Sequence, residues 1–155
     1  MYGITLLLHS WLRWLALIVG VAAVGNGFAG WFGRREWSAA GERWGRLFTL
    51  VLDIQLLLGL VLYFVSPLVQ TARGDFGAAM GDPALRFWSV EHVAMMVVAL
   101  AVAHIGRAAI RKAPDAATKH RRAALLFGLA LVIILAAIPW PFRVDIGRPW
   151  VRLGS

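Results

Sequence analysis

Few side chains in this chain are able to do chemistry, and most of them stand inside long apolar runs. Histidines occupy positions 9, 92, 104 and 120, and Asp53 and Glu91 are the acidic groups that fall within or beside those runs. An ionisable group at membrane depth is costly, so each such residue marks a candidate site. His9 and His92 form the first set. Each lies about five residues inside its run, which at 1.5 Å per helical residue puts both roughly 7–8 Å below the same membrane boundary. Two imidazoles at one depth on two helices are what a bis-histidine haem needs, with the porphyrin slotted between the helices. That ligation leaves no open position on the iron and favours electron transfer over catalysis there.

Other residues fit around this pair. Gly59, at a comparable depth, leaves space where a ring must approach the backbone. Arg86 and Arg143 stand near the outer ends of their helices, where they could pair with haem propionates. Arg13, one turn from His9, needs a partner, and Asp53 or a propionate are the candidates. The second nitrogen of each imidazole needs an acceptor, for which a carbonyl one turn earlier, or Ser89 beside His92, could serve. Two plainer readings compete with haem. The histidines could simply hydrogen-bond neighbouring helices. They could also hold a bare metal ion, although Glu91, next to His92, should face about 100° away and offers no third ligand. Met95 and Met96 are softer possible ligands, but methionine in such helices is usually filler.

A second set lies toward the other side. Asn26, Asp53 and His104 each fall some seven to nine residues from the inner ends of their runs, with Gln55 nearby in sequence and Gly128 level with them. A carboxylate and an imidazole in low dielectric pair or trade a proton, so these residues form a candidate proton relay or quinone head-group site. The alternative is a hydrogen-bond network that only fixes packing. His92 and His104 are twelve residues apart, a rotation of roughly 120°, and His120 belongs at the interface, so one haem is expected rather than two.

The elements that must position these groups are four apolar runs, about 4–32, 47–65, 87–110 and 123–140. Sixty per cent of the 155 residues are hydrophobic, beyond the roughly 45–50% of a soluble domain. Each run reaches or approaches the ~20 residues a helix needs to cross ~30 Å of hydrocarbon. The fold expected is all-α: a single domain (1–155), an integral membrane four-helix antiparallel bundle. Its boundaries are marked by a basic loop from Arg34 to Arg46, by Ser66-Pro67, by Asp82-Pro83 as a cap with proline at the first helical position, and by Arg111 to Asp115. Pro139 and Pro141 end the last run. The first run has no basic stretch before it and no cleavage site after it, so it reads as a retained helix.

The net charge of +8 does not imply nucleic acid, because the basic residues flank the apolar runs. Ten of them fall in the first and third loops and five on the opposite side, which predicts cytoplasmic loops and both termini outside. Trp11, Trp14, Trp31, Trp44, Trp88 and Trp140 mostly stand near run ends, as an interfacial belt. The absence of cysteine excludes disulfides, iron–sulfur clusters, thiolate zinc sites and covalently attached haem.

The segments LHSWLRW (8–14), QLLLGLVLYF (55–64), VEHVAMM (90–96) and AAIPWP (136–141) resemble small bacterial four-helix membrane proteins catalogued as cytochrome B. The resemblance covers nearly the whole chain. It implies a b-type haem in a four-helix bundle of the bacterial inner membrane, with His9 and His92 as candidate ligands. The expected function is a membrane electron carrier or redox subunit exchanging electrons between quinol and another redox protein, with lipid around it and a homo-oligomer open. The alternatives are a non-redox structural or assembly subunit, and a small proton conductor using Asp53 and His104.

Overall fold

The computed structural model describes residues 1–152. Its helices are α1 (Tyr2–Phe32), α2 (Ala39–Val65), α3 (Pro67–Gly74), α4 (Phe76–Ala79), α5 (Pro83–Arg111) and α6 (Ala116–Ala137). No strand occurs among the described residues. Four of the helices, α1, α2, α5 and α6, are long and apolar enough to cross a membrane. Large apolar side chains such as Ile18, Leu57, Val98, Ile105 and Val132 face outward along them. Small and aromatic residues face in, the arrangement a bundle adopts when its solvent is lipid.

Successive spanning helices pack side by side, and α6 closes the ring against α1. The chain therefore runs up, down, up and down with its first and last spans adjacent. At the centre Phe48 and Phe127 meet edge to face, 5.7 Å between ring centres. Alanines pack around them: Ala16, Ala103 and Ala130 are buried. Contact between α1 and α6 is at backbone range, since a Cβ at Gly27 would come within 2.6 Å of the Ala124 amide nitrogen. Close approach through small residues is how membrane helices gain packing energy without a hydrophobic drive between them.

The helix ends follow local chemistry. Asp82 accepts from the Leu85 N–H at 2.8 Å with Pro83 at the first turn, and Asp115 accepts from the Thr118 N–H at 2.7 Å. The Thr118 hydrogen bonds hold the Asp115 carboxyl below its ordinary pKa. Helix α6 stops at Ala137, two residues before Pro139, as the restriction on residues preceding proline requires. The helices also run past their apolar stretches. Helix α2 starts at Ala39 rather than near Leu47, so residues 39–46, expected in a loop, are its first two turns. Helical hydrogen bonding does not end where hydrocarbon does, and Gly41 and Gly45 are buried against neighbours there.

Two π-helical stretches interrupt the spans, Phe87–Glu91 in α5 and Ala123–Phe127 in α6. The first lies immediately before His92 and resets the direction in which that side chain leaves the helix. After α6, residues 139–152 have no helix and fold back against the first half of α1. Trp150 stacks on Trp14 with 6.3 Å between ring centres, and its carbonyl accepts from Arg13 Nη2 at 2.9 Å. This return needs a left-handed Asp145, at φ 67°, and a glycine at 147, where a Cβ would lie 2.7 Å from the Arg143 carbonyl.

Candidate functional site

A cavity opens between α1, α2, α5 and α6 in the half of the bundle that carries the start of α1, and His9 and His92 both line it. Their ring centres are 6.4 Å apart and the ring planes meet at 70°. His92 Nδ1 lies 2.9 Å from the carbonyl oxygen of Ala137 on α6. A carbonyl can only accept, so Nδ1 carries the proton and the neutral ring keeps its lone pair on Nε2. That acceptor is neither a carbonyl one turn earlier nor Ser89, whose hydroxyl donates to Leu85 at 2.6 Å. The π-helical stretch and the arrival of α6 beside it decide the pairing instead.

His9 is held differently. The Cε1–Nδ1 edge of its ring lies on Gly59, where a Cβ would come within 3.3 Å of Cε1. Gln55 Nε2 donates to the backbone carbonyl of His9 at 3.0 Å, tying α2 to α1 at that level. His9 Nδ1 is buried without a partner, as are Gln55 Oε1, Arg13 Nε and Trp88 Nε1. All four of those residues line the one cavity. These are four of the six such atoms among the described residues, the others being Arg107 Nε and His120 Nδ1, whose residues do not line it. Between them the wall is apolar, with Leu52, Leu56, Leu100 and Ile134. Met96 is also in the wall, and Met95 is not.

The arginines expected at this site separate. Arg13 lines the cavity. Arg86 is paired with Glu91 at 2.7 Å and lies outside the lining, which also turns Glu91 away from the histidines. Arg143 reaches the carbonyl oxygens of Ala136 and Ile138 at 3.2 and 3.4 Å and sits over the Phe87 ring. In their place the tail brings Arg148 and Arg152 into the lining. Nothing short of the folded tail pointed to those two; its three arginines were visible only as charge.

The inner set also divides. His104 Nε2 and Asp53 Oδ1 are 2.8 Å apart, joining α5 to α2. The two side chains are 45% and 44% exposed on the flank of the bundle, away from the cavity. Gln55 instead lines the cavity with His9. Asn26 does not share their depth, because a Cβ at Gly41 would lie 3.1 Å from its Oδ1. Gly41 and Asp53 are twelve residues apart on α2, ~18 Å along the axis. The expectation of a common depth measured α2 from Leu47, eight residues too late. Gly128 packs near Val24, not near the pair.

His120, expected at the interface, is 3% exposed. Its Nε2–H donates to the Glu36 carbonyl at 3.3 Å, its ring edge meets Trp37, and it presses on Gly30. Among the described residues no group of three or more His, Asp or Glu side chains converges as a metal cage would. No family model matches the chain, nor does any curated protein or solved structure.

Proposed function

We propose that this protein is a membrane electron carrier of the b-type cytochrome kind, with one haem b held between His9 and His92. The observation that carries the reading is the 6.4 Å between the two imidazole centres across a cavity. Two nitrogen–metal bonds of ~2 Å, plus ~1.1 Å from each nitrogen to its ring centre, would span about 6.2 Å. Axial rings need not be coplanar, so the 70° between them is no obstacle. The proton on His92 Nδ1 supports the same reading, because it leaves Nε2 as the donor atom.

When bound between His9 and His92, haem would supply one-electron oxidation and reduction. The remaining chemistry belongs to the chain. Ala137 fixes the tautomer and orientation of His92. Gln55 anchors the backbone that carries His9, and Gly59 gives its ring room. Leu52, Leu56, Leu100 and Ile134 keep water off the histidines, which favours the state of lower charge.

We place the protein in the bacterial inner membrane, with residues 33–38 and 112–115 cytoplasmic and both ends of the chain outside, from the ten basic residues around those loops against five opposite. On this reading the electron donor is a membrane quinol and the acceptor a redox protein at the outer face. Purified protein expressed with ample haem should show a six-coordinate low-spin b-type spectrum in detergent. A colourless protein would end the proposal and leave the structural-subunit reading. Because the chain has no cysteine, Ser38→Cys gives a single label site, and labelling from outside intact cells would reverse the orientation.

A further inference from the structure

The tail contributes to the wall of the cavity, and two of the residues it brings are cations. Arg148 and Arg152, from residues that would otherwise be an unstructured end, join Arg13 of α1 in the lining. The tail is fixed there by hydrogen bonds. Trp11 Nε1–H and Trp14 Nε1–H donate to the carbonyls of Arg152 and Trp150, each at 3.1 Å, and the Arg148 N–H donates to Pro139 at 2.9 Å. The Arg148 guanidinium lies 4.9 Å from the centre of the Trp88 ring.

Three arginines thus line one cavity, and among the described residues none of them is in an ion pair. Among the described residues the ion pairs are Arg86–Glu91 and His104–Asp53, and neither involves the mouth. Like charges held together at the edge of a low-dielectric region repel, and an arrangement of this kind is stable when an anion completes it. The unmet groups agree. Arg13 Nε and Trp88 Nε1 are buried N–H donors without an acceptor, and both residues line the cavity. What is missing at the mouth is acceptor oxygen and negative charge. Planar guanidinium groups match carboxylates through paired hydrogen bonds.

We propose that Arg13, Arg148 and Arg152 form a dicarboxylate-binding mouth that takes the two propionates of the haem. The inference rests on the haem reading and deepens it. It moves the propionate contacts from Arg86 and Arg143, which are engaged with Glu91 and with backbone carbonyls, to the folded-back tail. It also gives the tail a role, since the segment that covers the cavity is held partly by the group it covers.

The test titrates apoprotein with ferric protoporphyrin IX and, separately, with its dimethyl ester, which keeps the iron and the ring but has no free carboxylate. Wild type should bind the free acid at least about tenfold more tightly than the ester, the scale of one hydrogen bond to a charged group. Arg148→Gln with Arg152→Gln should lose most of that preference while still reaching the low-spin spectrum at saturation. Arg148→Lys with Arg152→Lys should keep part of it, and Arg86→Gln should keep all. Equal binding of acid and ester by wild type would overturn the proposal without any variant having to fold, and would leave histidine ligation standing. A preference retained in full by the double glutamine variant would overturn it too. Failure of wild type to bind either porphyrin would remove the haem reading itself.

Discussion

The His9–His92 pair and the Asp53–His104 pair each bring side chains from two helices together, but in opposite surroundings. The first faces inward on a cavity with unmet polar atoms around it and no direct hydrogen bond between the two rings. The second is a closed contact of 2.8 Å whose members satisfy each other on the outer flank. A pair with its hydrogen bonds complete has little left to offer a ligand. A pair whose ring centres stand 6.4 Å apart, with His92 Nδ1 already committed to orienting its ring, keeps Nε2 of that ring for something else. On the proposed reading the difference separates a site from a clasp, although both contain histidine and both lie within spanning helices.

The sharpest way to break this comparison is to delete ligands on each side. His9→Ala or His92→Ala should abolish the low-spin spectrum or convert it to a five-coordinate one, while His104→Ala and His120→Ala should leave it intact. Absorption and magnetic circular dichroism of the purified variants decide this. A spectrum that survives loss of both outer histidines would dissolve the distinction. Next in size is the space under His9. Gly59→Val would put methyl groups where a single Cβ already comes within 3.3 Å of the ring. Overpacking of this kind costs about 1–3 kcal/mol. Mixed-spin haem at reduced occupancy is the expected outcome, and an unchanged spectrum would show that His9 does not need that close approach.

The clasp should respond weakly. Asp53→Asn is expected to cost under about 1 kcal/mol, since interhelical hydrogen bonds in membranes average about 0.6 kcal/mol in double-mutant cycles. Unfolding in mixed micelles of Asp53→Asn, His104→Ala and the double variant measures the coupling. A coupling of several kcal/mol, or a displaced haem potential in Asp53→Asn, would make the pair more than a clasp.

The smallest effect lies outside both regions. The Asp115 carboxyl is held below its ordinary value of 3.8 by the Thr118 hydrogen bonds. Its folded pKa is depressed, so its contribution to the α6 N-terminus is present above that ordinary value and is lost as pH falls through the folded one. The thermal midpoint of wild type minus that of Asp115→Ala should therefore be positive at neutral pH and shrink on acidification. A difference that grows toward acid would contradict the capping role.

Much of the architecture was legible because the membrane imposes a length and a composition on any segment that crosses it. The spans, the Asp82-Pro83 start of α5 and the matched depth of His9 and His92 follow from local rules. Less legible were positions that depend on where a helix physically begins. Asn26 was assigned the depth of Asp53 because hydropathy marks the start of hydrocarbon, while α2 starts eight residues earlier at Ala39. The π-helical stretch before His92 is likewise invisible to a regular 3.6-residue count.

Sequence by itself determined that this is an all-helical, multi-pass membrane protein and that His9 and His92 lie level near one boundary, since burial of backbone in lipid admits few solutions. Tertiary structure alone decided which residues meet. It turned His92 onto the Ala137 carbonyl, sent Gln55 to the cavity and Asp53 to the flank, and folded the tail so that Arg148 and Arg152 joined Arg13 in the lining. The physical reason is that depth is a property of one helix and can be counted along it. Facing is a property of pairs, fixed by where glycines such as Gly27 and Gly59 let backbones or rings come close, by irregular turns, and by a tail whose path depends on surfaces that exist only once the bundle has formed.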